Sequence, residues 1–263
     1  MHDRILLFIP GYNCEKQIGR VLNQLSENIL KYIQETIFVD NCSKDNTVKV
    51  VKKYKIEHPN VNLHILRNDE NYNLGGSHKV AFDYAIINNF DYVIVLHGDD
   101  QGNINDIQSI LESKEYRKYD CMLGSRFMKG SELEGYSKFR TFGNKLYNIL
   151  FSIVLKKRIY DLGSGLNIYS TKLLESKFYY KFPDQLTFNY CMILATNYYK
   201  QKIKFFPITW RKSDQISNVK LTGQAINVLK MIFKYSLNNK YIEQEFRDKV
   251  IEKYTTQEIK NEE

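Results

Sequence analysis

Proline is scarce in this chain, at four residues, and glycine is modest at 13. A long Pro- or Gly-rich linker is therefore excluded. The cysteines Cys14, Cys42, Cys121 and Cys191 lie far apart, and no two have C-x-x-C spacing. A zinc site or dithiol redox motif has no support. They read as free, mostly buried thiols of a reducing compartment. No stretch reaches the roughly eighteen apolar residues of a transmembrane helix. The opening MHDRILLFIPGYN holds only a short apolar run stopped by Pro-Gly, which is unlike a signal peptide. A cytoplasmic location is expected, with peripheral rest on the inner face of the cell membrane as one variant. No internal repeat is present, and no low-complexity tract apart from the largely polar closing TTQEIKNEE.

The 263 residues include 43% hydrophobic and 26% charged side chains. That is enough to bury a core, and it excludes the disordered and fibrous classes. Thirty-eight Lys and Arg against 30 Asp and Glu give a net charge of +8. Such a balance favours anionic partners: nucleotide phosphates, an acidic membrane face or nucleic acid. It also suits a basic surface that only keeps the protein soluble.

Apolar periodicity alternates between two and 3.6 along the first half. RILLFIP (Arg4 to Pro10), ETIFVDN, VNLHILRN and YVIVLHG read as strands. Helical spacing covers Glu15 to Tyr32, Asp45 to Tyr54 and Ser77 to Asn88. This alternation is that of an α/β protein with a doubly wound, mainly parallel sheet. Further on, DCMLGSRF and IKFFPITW read as strands, and Phe139 to Lys157 and FNYCMILATNYYKQ as helices. The expected organisation is a domain over 1–221 and a C-terminal helical tail over 222–263, in which Ala225, Val228, Leu229, Ile232 and Phe233 share one face.

Open parallel sheets bind ligands at the carboxyl ends of their strands. Here those ends read Pro10-Gly11-Tyr12-Asn13, Asp40-Asn41-Cys42-Ser43, Arg67-Asn68 and His97-Gly98-Asp99-Asp100-Gln101. Each alone is ordinary turn chemistry; their convergence on one edge is not. Continued strand alternation would put His97, Asp99 and Gln101 on one face and Asp100 on the other. A carboxylate between two further donors suits Mg2+ or Mn2+, which keep coordination positions open for substrate phosphates. The imidazole suits Mn2+ better. An exposed acidic turn accounts for the same residues.

These stretches resemble family 2 glycosyltransferases of GT-A fold, and most closely the dolichol- and polyprenyl-phosphate sugar synthases. IPGYN, VDNCSKDNT, NYNLGGSHKVAFDYA, HGDDQ, GSRF and DLGSGLNIY occur in the family order between about residues 5 and 220. The resemblance implies a nucleotide-sugar donor. It implies that Pro10 and Tyr12 line a nucleobase pocket, that Asp40 accepts from the base, and that Asn13, Asn73 and Gly75 belong to the donor-binding set. Asp99 and Gln101 would hold the metal. Arg126 and Arg211 would meet donor phosphates, where a guanidinium forks onto oxygens. Two departures stand out. His97 occupies the place of the metal motif's first aspartate, and Cys191 that of a glutamate in the lipid-phosphate enzymes.

The family implies inverting transfer. A polyprenyl-phosphate acceptor is already anionic, whereas a glycan hydroxyl, as in capsule or lipooligosaccharide assembly, needs a general base. Asp161 and Asp184 are the candidates for that base. The helix Phe139 to Arg158 is apolar along one side and flanked by Lys138, Arg140, Lys145, Lys156, Lys157 and Arg158. It fits an anionic membrane surface, or packing on the core or on a partner subunit. No nucleic-acid module is recognisable, so a nucleic-acid partner is not expected. A nucleotide-sugar binder with a degenerate metal motif and a homo-oligomer both remain open.

Overall fold

The computed structural model describes residues 2–212, 214 and 221–260; of the side chains, those of Phe139 and of residues 221–225, Ala225 among them, lie outside the described set. The first strand, β1 (Ile5–Gly11), is buried throughout. It is followed by α1 (Ile18–Leu22), α2 (Glu27–Leu30) and β2 (Glu35–Asp40). The chain continues through α3 (Thr47–Glu57), β3 (Leu63–Asn68), α4 (Asn73–Ile87) and β4 (Tyr92–Leu96). Then come α5 (Gln108–Ser113), β5 (Cys121–Ser125), β6 (Glu132–Glu134) and α6 (Lys138–Leu155). The last part holds β7 (Leu166–Ser170), α7 (Thr171–Leu174), α8 (Phe188–Tyr198), β8 (Ile203–Pro207), β9 (Thr209–Arg211), α9 (Leu221–Leu237) and β10 (Thr256–Glu258).

The main sheet has the order β10-β3-β2-β1-β4-β7-β5-β8. β1 pairs in parallel with β2 and β4, and β2 with β3. β7 inserts antiparallel between β4 and β5, and β10 caps the β3 edge antiparallel. The expected mainly parallel α/β sheet is thus present. Alternation along each strand feeds two cores. Leu6, Phe8, Ile37, Val39, Val93 and Val95 face one helix layer. Ile5, Leu7, Ile9, Phe38, Ile94 and Leu96 face the other. Both faces are covered, which is why these strands read as continuous apolar runs.

Three expectations need correction. The helix expected over Glu15 to Tyr32 is two short ones. Between them Gln24 turns inward, its Nε2 donating to Asp100 Oδ1 and the Gly102 carbonyl and its Oε1 accepting from the Ile104 N–H. That bridging role breaks the helical run. The third helix begins at Asn73 rather than Ser77. Its Gly75 and Gly76 look like helix breakers, yet they fit a tight place. A Cβ on Gly75 would lie 2.5 Å from the Pro183 carbonyl, and one on Gly76 2.4 Å from Tyr72 Cβ.

The third correction concerns the tail. Residues after 221 are not a helical appendage to a finished domain. Val228, Met231, Ile232, Tyr235, Ile242 and Tyr254 are buried in the same core as β1 and α4, and β10 joins the main sheet. Burial of those apolar side chains ties the tail into the fold.

Candidate active site

The carboxyl ends of β1 to β4, which run parallel, share an unusual backbone. After each there is one non-glycine residue with positive φ: Asn13 (48°), Cys42 (62°), Asn73 (57°) and Asp100 (57°). Such conformations cost energy and collect at ligand sites. Around them lies a cleft of about 1100 Å³, ample for a nucleotide sugar. Its wall includes Pro10, Tyr12, Asn41, Asn71, Asn73 and Ser77 from the β1, β2 and α4 ends, then His97, Gly98 and Asp99. The rest of the wall comes from Pro183, Gln185, Leu186 and Thr187 and from the tail, through Asn227, Lys230, Met231, Lys234, Tyr241, Phe246 and Asp248.

An amide chain fixes the first wall. Asn68 Nδ2 donates to Asn41 Oδ1 (2.9 Å) and Ser77 Oγ (3.0 Å), and Asn41 Nδ2 donates to Asn71 Oδ1 (2.7 Å). Asn71 Oδ1 also accepts from the Asn73 N–H. Buried amides linked in this way set one geometry. Asp40 is fully buried, and its carboxylate accepts from the Ser43 N–H at 3.1 and 3.2 Å, with Arg67 Nε 3.6 Å away. It therefore shapes the loop and is not in the cleft wall. Asp45, by contrast, accepts from the Thr47 N–H and hydroxyl at the start of α3.

Strand geometry stops at Leu96, so the predicted alternation through Gln101 does not hold. Gly98 and Asp99 form a turn, and Asp100 has left-handed backbone. The turn still separates the two carboxylates. Asp99 lines the cleft. Asp100 faces away, its Oδ2 2.6 Å from Arg20 Nε and its Oδ1 3.7 Å from Arg211 Nη1. Gln101 follows Asp100: its Nε2 donates to the Arg211 carbonyl (3.2 Å), and it is absent from the cleft wall. Burial pushes the Asp99 carboxyl up to about 6. Burial, helped by the Arg126 charge, holds the His97 imidazole down at about 4, so it is neutral near pH 7. Its ring lies against Gly165, where a Cβ would come within 2.8 Å of Cγ, and its Nε2 is buried without a hydrogen-bond partner among the described residues.

Three further candidate residues are engaged elsewhere. Arg126 forks onto Asp161, Nε to Oδ2 and Nη2 to Oδ1 both at 2.8 Å, and Nη2 also donates to the Gly163 carbonyl. Burial opposes the guanidinium charge, but Asp161 outweighs it and raises the pKa. The pair pins the loop that brings Gly165 under His97. Asp184 Oδ1 accepts from Lys79 Nζ (2.6 Å) and Tyr254 Oη (2.7 Å), while its backbone carbonyl accepts from the Gly75 N–H (2.6 Å). Burial drives Lys79 down to about 8, against the pull of Asp184. Neither Asp161 nor Asp184 lines the cleft, nor do Asn13, Gly75, Arg126 or Arg211.

The cations in the cleft wall are instead Lys230 and Lys234, which sequence reading passed over. Their four-residue spacing puts them on one helix face, but nothing local ties that face to a site more than 130 residues away in the chain. Asn71 was missed for a similar reason: its role is to hold Asn41 and Asn73.

A model of the family described as glycosyl transferase family 2 matches residues 7–178. The chain belongs to glycosyl transferase family 2. An uncharacterized protein of Methanocaldococcus jannaschii is 25% identical over 235 residues, 88% of this chain and 98% of its own length. The UDP-N-acetylglucosamine–dolichyl-phosphate N-acetylglucosaminyltransferase of Methanococcus voltae is 27% identical over 191 residues, 66% of this chain and 73% of that protein. Among solved structures, Staphylococcus aureus TarS 1-349 in complex with UDP-GlcNAc superposes with a TM-score of 0.59 at 19% identity, covering 89% of this chain and 67% of that one. A mannosyltransferase from Pyrobaculum calidifontis in complex with GDP-Man and Mn2+ gives 0.59 at 15% identity, covering 92% and 72%. The fold is GT-A, and this family 2 enzyme is a glycosyltransferase that uses nucleotide-sugar donors.

Whether the site fits a divalent ion can be read from its donors. Among the described residues no group of three or more His, Cys, Asp and Glu is arranged to hold a metal ion. His97 and Asp99 both line the cleft, and His97 Nε2 is a buried polar atom without a hydrogen-bond partner among the described residues. Mg2+ and Mn2+ are often held by one or two protein groups plus substrate phosphates. The residues fit that kind of site, completed by the donor, and not a preformed cage.

Proposed function

We propose that this enzyme transfers a sugar, with inversion, from a nucleoside-diphosphate sugar to a polyprenyl-type lipid phosphate. One observation carries the choice of acceptor. The two carboxylates that the sequence offers as base for a hydroxyl are tied up, Asp161 by Arg126 and Asp184 by Lys79 and Tyr254; of those in the cleft wall, Asp99 is assigned to the ion and Asp248 accepts from Gln185 Nε2. A phosphate oxygen is already anionic and needs no base. The Methanococcus voltae relative is named for a dolichyl-phosphate acceptor, which supports the same reading.

In this account Pro10 and Tyr12 flank the base, Asn73 stands by the ribose or phosphates, and Asp99 with neutral His97 would hold Mg2+ or Mn2+. The bound ion would offset charge gathering on the leaving diphosphate. The acceptor oxygen forms the new bond to the anomeric carbon as the bond to the diphosphate breaks. Arg126 and Arg211 support from behind: one props the loop under His97, the other holds Asp100. In this reading the enzyme works at the inner face of the cell membrane, where a lipid-phosphate acceptor is held; no helix among the described residues is long and apolar enough to cross a membrane.

The test begins with a thermal-shift screen of UDP-, GDP-, CDP- and dTDP-sugars with Mn2+ to find the donor. Labelled donor is then supplied with a short polyprenyl phosphate. Label extractable into organic solvent is expected. Label entering only a water-soluble glycan would transfer support to the hydroxyl-acceptor reading of capsule or lipooligosaccharide assembly.

A further inference from the structure

α9 has two working faces. One, through Asn227, Lys230, Met231 and Lys234, lines the cleft. The other carries Ile226, Leu229, Phe233 and Leu237, all exposed, between 45% and 72%. Their spacing of three and four residues makes one continuous stripe. α6 packs against α9 and carries a matching exposed stripe: Phe142, Leu146, Ile149 and Ile153, between 48% and 69%. Two neighbouring helices that each leave four large apolar side chains in water form a patch of the kind that marks an interaction surface.

Charge identifies the partner. Lys138, Arg140, Lys145, Lys156, Lys157 and Arg158 on or beside α6 are all exposed. Acidic residues are absent from both α6 and α9. An apolar stripe whose only charged neighbours on the two helices are cations complements an anionic bilayer, where the stripe enters the acyl boundary and nearby Lys and Arg meet the headgroups. On the inner face, neither Lys230 nor Lys234 has a carboxylate partner among the described residues. Met231, Leu186 and Phe246 stand beside them in the wall. Cations next to apolar side chains suit a phosphate that carries a hydrocarbon chain.

We infer that α9 is the acceptor element. Its outer stripe, with that of α6, seats the enzyme on an anionic membrane, and Lys230 and Lys234 take the phosphate of a lipid drawn from that membrane into the cleft. The inference rests on the lipid-phosphate reading above and adds the residues that receive the acceptor.

Two paired variants test it, each checked for an unchanged melting temperature. Phe142→Ser with Phe233→Ser should lower sedimentation with phosphatidylcholine–phosphatidylglycerol vesicles more than about tenfold, because two large apolar side chains no longer enter the acyl boundary. Wild-type binding should weaken with salt and be near background on phosphatidylcholine alone. Lys230→Ala with Lys234→Ala should raise the KM for a short polyprenyl phosphate about tenfold or more, as expected for lost charge-assisted contacts. Thermal stabilisation by the nucleotide sugar should be unchanged. Three results would overturn the inference: vesicle binding indifferent to the Phe pair, a dimer in solution that the Phe pair dissociates, or a Lys pair that weakens the nucleotide and spares the lipid phosphate. If the wild type makes no solvent-extractable product at all, the acceptor reading itself fails, whatever the vesicles show.

Discussion

Replacing Lys79 by Met tests how the tail and the cleft are joined. The ammonium is fully buried and donates to the Phe182 carbonyl (2.6 Å), Asp184 Oδ1 (2.6 Å) and Tyr254 Oη (3.0 Å). It thus connects α4, the loop before α8 and the strand-bearing tail. Removing one partner of a buried pair costs about 3–5 kcal/mol, because the other charge is left behind. Asp184 keeps the Tyr254 hydroxyl and is 14% exposed, so the low end, about 3 kcal/mol, is expected. The lowered pKa of Lys79 says that burial of the charge outweighs its pairing. Replacing both partners, Lys79→Met with Asp184→Leu, should therefore recover much of the loss. The same shift gives a pH signature. Lys79 loses its proton at about 8 in the fold and at about 10.4 unfolded. Between those values the unfolded chain binds more protons, so stability rises with pH. From pH 8 to 9.5 the stability gap between wild type and Lys79→Met should widen by about 1.6 kcal/mol. Urea unfolding with a constant m-value measures both effects. A double variant at least as unstable as the sum of its singles, or a gap that does not change with pH, would refute this reasoning.

Other perturbations act on the cleft from its supports. Gly75→Ala forces a Cβ against the Pro183 carbonyl at 2.5 Å and Phe188 Cβ at 2.9 Å; a loss of about 1–3 kcal/mol and impaired transfer are expected, by denaturant midpoint and initial rate. Arg126→Lys keeps the charge but loses the fork onto Asp161, so the melting temperature should fall and transfer with it, and Asp161→Asn should behave alike. Chelation should reduce transfer to background and Mn2+ should restore it, measured as release of nucleoside diphosphate.

Much of this was legible in the sequence because the parallel strands are covered on both faces. ILLFIPG and YVIVL could hardly be anything but buried strands, and their polar ends converge where the topology brings them. What sequence reading lost lies in long-range pairing. Alternation placed Gln101 beside Asp99, but the left-handed turn at Asp100 sends Gln101 to the Arg211 carbonyl. Asp161 and Asp184 look like available bases until Arg126 and Lys79 are seen to hold them. Gly75-Gly76 reads as a break, and only the Pro183 carbonyl beside Gly75 explains the glycine. Thr256–Glu258 has no strand signal of its own; it is a strand because β3 offers an edge.

The most direct test of the account compares Asp99→Asn with Asp100→Asn. Asp99 lines the cleft with His97, whereas Asp100 serves Arg20 and Arg211 at the back. Asp99→Asn should lower sugar transfer at saturating donor and Mn2+ by about a hundredfold or more, with little change in melting temperature. Asp100→Asn breaks a pair whose arginine is half-exposed, so it should cost about 1 kcal/mol of stability and leave transfer within a few-fold. Equal loss of transfer in the two variants, or a greater loss in Asp100→Asn, would contradict the account.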